Sequence, residues 1–123
     1  GVAAALVASD ILVPEGDVAP LAMDTGPSFA AELMFTFALA YVILNVATSE
    51  STEGNGYYGA AIAFVVLAGA LTVGSISGAS FNPAVTASLI SSGVMELADS
   101  WVHIVPQLMG GVLAAFVFNA QQE

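Results

Sequence analysis

Long apolar runs broken by short polar stretches set the pattern of the chain. From Phe29 to Thr48 every position is apolar or small except a few hydroxyl residues, Glu32, Tyr41 and Asn45. At about 1.5 Å per residue such a run approaches the roughly 30 Å of a hydrocarbon core, so it predicts a spanning helix. Ser49 to Gly56, with Glu50, Glu53 and an Asn-Gly turn signal, predicts a short polar loop. Gly59 to Ile90 then runs for 32 residues without a charge, too long for one span and too short for two spans with a turn. Gly74-Ser75, Ser77-Gly78 and Asn82-Pro83 interrupt it. Asn before Pro is a capped start with Pro at the first helical position, so the pattern predicts a span over 59–73, an irregular stretch to Phe81 and a short helix over 83–90. Eight residues make about 12 Å of helix, which can enter a bilayer and return but cannot cross it. A further apolar run from Trp101 to Phe118 predicts a third span.

The N-terminal part divides in two. Residues 1–9 are small and apolar and predict the end of a transmembrane helix. Residues 10–28, with Pro14, Pro20, Pro27, Asp10, Glu15, Asp17 and Asp24, predict an exposed connection. Residues 29–123 form the remaining unit. Gly1 to Ala8 agrees with Gly111 to Phe118 at five of eight places, the mark of an internal duplication. The chain starts at Gly1, and no charged segment leads an apolar stretch to a cleavage site. It is therefore expected to be a fragment or processed product.

Composition supports an all-α integral membrane protein: 58% of the 123 residues are hydrophobic, 8% are charged, and the mean hydropathy is +0.90. Ten acidic residues and no Lys or Arg give a formal charge of −10, which argues against nucleic-acid binding and excludes a Walker-type lysine. It also removes the basic-residue signal that orients membrane proteins. With no Cys there is neither a disulfide nor a thiolate metal site. No acid/base pair, nucleophile triad or metal cluster is legible, so neither enzymatic activity nor a cofactor is expected.

The helix start at Asn82 is the most informative feature. Irregular backbone at membrane depth survives only against protein or a watery cavity, and a helix N-terminus offers free N–H groups and about half a positive charge. Such a site can exchange hydrogen bonds with a neutral solute and repel a cation. Glu32 is the one acid inside an apolar run, costing about 2.5–3.5 kcal/mol to insert unless it is partnered. It can serve as a structural acceptor, relay protons or sit at the membrane surface. His103 reads as an interfacial or packed histidine and not as a metal ligand. Trp101 and Tyr57-Tyr58 suit an interfacial aromatic belt or helix packing. Pro106 interrupts the hydrogen-bond ladder of the last span, and Gly110-Gly111 with Ala114-Ala115 allow close approach.

The segment Ser80-Phe-Asn-Pro-Ala-Val-Thr86 resembles the signature loop of the aquaporin or major intrinsic protein family. Residues 32–41, 59–66 and 106–115 resemble the family's fourth, fifth and sixth helices, and residues 1–9 the end of its third. The resemblance implies a six-helix channel for water or small neutral solutes, usually a homotetramer in the lipid bilayer. This chain would be its second-repeat half, with three spans and one re-entrant half-helix, and an N-terminal half would lie outside it. It implies that Asn82, Pro83 and Ala84 form the pore motif and that Glu32 braces the loop. It places Ala70, Ala79 and Val85 at the selectivity filter. Water channels of the family typically carry His and Arg at the filter, so this one is expected to be wider, apolar and without the Arg. Asn-Pro-Ala-Val-Thr is itself typical of the first repeat. The long acidic connection, the helix tail at Gly1 and Pro106 favour the second. Family topology then puts Asp10 to Asp24 and Glu96 to Asp99 outside, and Glu50, Glu53 and Glu123 in the cytoplasm. The alternative function is a non-conducting structural subunit with a degenerate filter.

Overall fold

The computed structural model describes residues 2–12 and 19–122, which form helices joined by turns and short irregular segments. The helices are α1 (Val2–Leu12), α2 (Thr25–Ala47), α3 (Tyr58–Ser77), α4 (Pro83–Ser91) and α5 (Trp101–Gln122), with single 3₁₀ turns at Glu50–Thr52 and Leu97–Asp99. Glu15 and Asp17 of the predicted connection, together with Gly1 and Glu123, lie outside the described residues. Helices α2, α3 and α5 are each long and apolar enough to cross a membrane. Helix α4, with nine residues and about 14 Å of length, is not.

Burial is inverted relative to a soluble bundle. Ser28, Ala31, Glu32, Thr36 and Leu39 form the buried stripe of α2, and His103, Pro106, Gln107, Gly110 and Ala114 that of α5. The steps of three and four residues keep each set on one helix face. Leu71, Val112 and Phe116 are more than two-thirds exposed. Large apolar side chains on the outside, with polar ones buried beside a small apolar cluster of Ala31, Leu39, Val73 and Phe81, suit lipid as the surrounding solvent.

Helix α2 is the centre of the assembly, packing along α5 and α3, while α1 rests on α4. Close approach of α2 and α5 depends on Gly110, where an added Cβ would lie 2.7 Å from the Leu33 carbonyl oxygen and 2.9 Å from the Phe37 nitrogen. On α3, Gly69 makes room for the Phe81 and Phe35 rings, which stack at 5.3 Å between centroids. Trp101, Tyr57 and Tyr58 are each about half exposed, at the starts of α5 and α3.

Several boundaries differ from the sequence pattern. Helix α3 runs four residues beyond 73 and stops only at Gly78, whose φ of +79° and N–H bond to the Gly74 carbonyl make a left-handed cap. Gly74, Ser75 and Ser77 do not break it, because their intrinsic penalty is at most about 1 kcal/mol each and the buried Ser77, bonded to Glu32, helps to offset it. Helix α1 continues through Leu12, and α2 starts at Thr25, four residues before Phe29, with Pro27 in its first turn, where a missing N–H costs nothing. Helix α5 continues past Phe118 to Gln122, and Gln121 accepts a hydrogen bond from Tyr41 on α2.

Candidate functional site: a braced re-entrant loop

The site is built where α3 ends and α4 begins. Only Gly78 to Asn82 separate the two helices. Ala79 (φ 51°) and Phe81 (φ 57°) occupy the left-handed region that residues with a side chain avoid, so the turn holds strain that its surroundings must offset. Successive turns of α2 supply that support. Ser28 Oγ donates to the Ile76 carbonyl at 2.8 Å, and Thr36 Oγ1 donates to the Phe81 carbonyl at 3.2 Å. Between them Glu32 accepts at both oxygens. Oε1 takes Ser77 Oγ at 2.7 Å and the Ser80 N–H at 3.0 Å, and Oε2 takes the Phe81 N–H at 2.8 Å and Gln107 Nε2 at 2.8 Å.

Glu32 is completely buried, and these four donors take the place of the hydration it gave up. The position at the membrane surface, one of the three readings of this residue, is therefore excluded. From α5, Gln107 Nε2 also lies 3.0 Å from Thr86 Oγ1 and 3.3 Å from Ser80 Oγ, and those two hydroxyls are 2.7 Å apart. One amide thus joins α5, the loop and α4. His103, one turn earlier on α5, is fully buried with Nε2 2.6 Å from the Ser77 carbonyl. Of its two readings, interfacial or packed, the packed one describes it, as a component of the brace.

Asn82 is the N-cap of α4. Its backbone is extended, its Oδ1 accepts from the Val85 N–H at 3.0 Å, and Pro83 follows at the first helical position. Pro83, Ala84 and Val85 leave their side chains exposed, so the electropositive start of α4 lies on an open edge of the structure. Beside it a groove of about 230 Å³ is lined by Leu39, Ile43, Asn82, Pro83 and Leu108, among others. Ala70 is exposed on α3, Ala79 lies in the loop and Val85 in the first turn of α4. None of these three lines that groove. A larger cavity, about 610 Å³, lies around Glu50, Glu53 and Asn55 at the other polar turn.

Sequence reasoning reached Glu32 and Asn82 but passed over Ser28, Thr36, Ser77, Thr86 and Gln107. A usable signal was present. Ser28, Glu32 and Thr36 recur every four residues in an otherwise apolar helix, as do His103 and Gln107, and polar residues at that spacing in a span face protein and not lipid.

Three spans and a short helix turned back by a buried carboxylate define part of an all-helical integral membrane protein. The chain belongs to the major intrinsic protein family, whose model matches residues 27–123. It is 40% identical over 95 residues to Aquaporin Z of Photorhabdus laumondii, covering 72% of this chain and 40% of that protein. It is 32% identical over 115 residues to a probable TIP-type aquaporin of Antirrhinum majus (92% and 45%) and 32% identical over 123 residues to a probable NIP-type aquaporin of Nicotiana alata (93% and 44%). The chain spans less than half the length of these relatives. No solved structure matches it significantly.

Proposed function

We propose that the full-length protein is a passive transmembrane channel for water or small neutral solutes, and that this chain supplies its second-repeat half. The observation that carries the reading is the exposed N-terminus of α4, held at Asn82 by a loop whose buried polar partners fix its direction. Asn82 already caps the Val85 N–H and Pro83 has none, so the Ala84 N–H, the Asn82 side-chain amide and the partial positive charge of the helix start are what trade hydrogen bonds with a neutral solute and disfavour cations. The curated relatives, named as aquaporins, support the same reading. In it, Asn82, Pro83 and Ala84 form the pore motif, Glu32 braces the loop, and Ala70, Ala79 and Val85 line a wide apolar filter once a second half closes the passage. Homotetrameric assembly belongs to the same proposal.

Stopped-flow shrinkage of liposomes holding the full-length protein, under water, glycerol and urea gradients, tests it. Faster exchange than in empty liposomes is expected for at least one of the three. Equal rates for all of them would favour the non-conducting subunit. Val85→Arg is expected to place a bulky cation at the constriction and to slow glycerol and urea more than water. Unchanged selectivity in that variant would remove Val85 from the filter.

A further inference from the structure

His103 has chemistry that bracing the loop does not exhaust. Its ring is fully buried, Nε2 lies 2.6 Å from the Ser77 carbonyl oxygen and 3.7 Å from Glu32 Oε1, and Nδ1 has no hydrogen-bond partner among the described residues. A carbonyl oxygen only accepts, so Nε2 carries the hydrogen, and the neutral ring is fixed as the Nε2–H tautomer with its lone pair at Nδ1. Ser77 closes α3 and also donates Oγ to Glu32 Oε1. One imidazole therefore touches both the carbonyl that ends the helix and the carboxylate that holds the loop.

The chain contains no Lys or Arg, which leaves His103 as the one side chain able to place a positive charge beside Glu32. Glu32 is the titratable group that faces it from α2. Helix α3 and the loop present the hydroxyls of Ser77 and Ser80, and α4 presents Thr86. The turn before α5 carries Glu96 and Asp99, both exposed.

We infer that His103 is a positioning residue for the re-entrant loop whose hold depends on its charge. Neutral, it pins the Ser77 carbonyl and leaves Glu32 Oε1 to Ser77 Oγ and the Ser80 N–H. Protonated, it draws Oε1 to itself, because a bond between two charged groups is stronger than either neutral donor makes. The new Nδ1–H meets no acceptor in its present position, so the ring must also shift. Both changes slacken the loop at Ser80, next to Asn82. The effect on permeation rests on the channel reading, whereas the tautomer and the contact with Ser77 do not.

Two measurements on the full-length protein separate these. Imidazole nitrogen NMR in bilayers at neutral pH is expected to show Nε2 protonated and Nδ1 bare. The opposite tautomer, or a ring already charged, overturns the inference whether or not the protein conducts. Water permeability of liposomes is expected to fall about fivefold once acidification charges the ring, the population change commanded by the net worth of one hydrogen bond. His103→Gln, whose Nε2 still reaches the Ser77 carbonyl but takes no charge, is expected to keep the neutral-pH rate with no such step. A step of equal size in His103→Gln overturns the inference. Rates equal to empty liposomes at every pH defeat the channel reading and leave the tautomer to decide for His103.

Discussion

Glu32→Ala is expected to abolish recovery of folded protein, the largest single-residue effect in this structure. The substitution leaves Ser77 Oγ, the Ser80 and Phe81 N–H groups and Gln107 Nε2 without their acceptor in a region closed to water. Each buried donor stranded in this way costs about 1–3 kcal/mol, so even with partial relaxation the sum reaches about 5 kcal/mol, comparable to the whole stability of many domains. The loop has no alternative, because Ala79 and Phe81 sit in left-handed conformations that persist only while those bonds are made. Glu32→Gln is expected to be milder. An amide nitrogen in place of Oε2 lets Gln107 turn its own amide to accept, and only the fixed Phe81 N–H is left facing a donor, for about 1–3 kcal/mol. Thermal unfolding in detergent, with the monodisperse fraction on gel filtration, reads both. A Glu32→Ala protein that melts near the wild type would show that the loop finds acceptors elsewhere.

The second large effect is expected at Gly110. The Cβ of Gly110→Ala would meet the Leu33 carbonyl and the Phe37 nitrogen at 2.7 and 2.9 Å, and Thr36 Cβ at 3.2 Å. Backbone atoms of a helix cannot swing aside as a flexible side chain does, so α2 and α5 must separate by several tenths of an ångström. Overpacking of this kind costs about 1–3 kcal/mol or more. Here it also pulls Gln107, one turn away, from Glu32 Oε2, so the lesion reaches the loop. Gly111→Ala is the internal control. Nothing lies within 4 Å of its added Cβ, and the better helix propensity of Ala favours it by up to about 1 kcal/mol. A lowered melting point for Gly110→Ala beside an unchanged or raised one for Gly111→Ala is the expected pair. Equal behaviour of the two would mean that α2 and α5 do not approach at Gly110.

Both effects arise from contacts distant in sequence, and this is where reading the chain alone stopped. Glu32 stood out because an acid in an apolar run is costly, and Asn82-Pro83 because the pair is a cap with a mechanism. Gln107 did not stand out, since one amide in a span carries a small penalty, and its value lies in reaching Glu32, 75 positions away. His103 was read as interfacial or packed from its nearness to Trp101. The structure decides for packed, because the face of α5 that carries His103, Gln107 and Gly110 is the face packed on α2. The end of α3 was misplaced for a related reason. Gly and Ser weaken a helix by fractions of a kcal/mol, an amount that the hydrogen bonds of Ser77 and the packing of Val73 outweigh.

What the sequence determined by itself is the class of structure and its point of interruption. Twenty-residue apolar runs can satisfy their backbone in lipid only as helices, and Asn-Pro inside a charge-free run can only restart one. What the tertiary structure decided is the direction of that restarted helix. A loop with three left-handed residues has no preferred course of its own. It acquires one because α2 and α5 bring a carboxylate, two hydroxyls and an imidazole to backbone groups between Ile76 and Phe81, and an amide to the side chains of Glu32, Ser80 and Thr86, and no local pattern encodes that convergence.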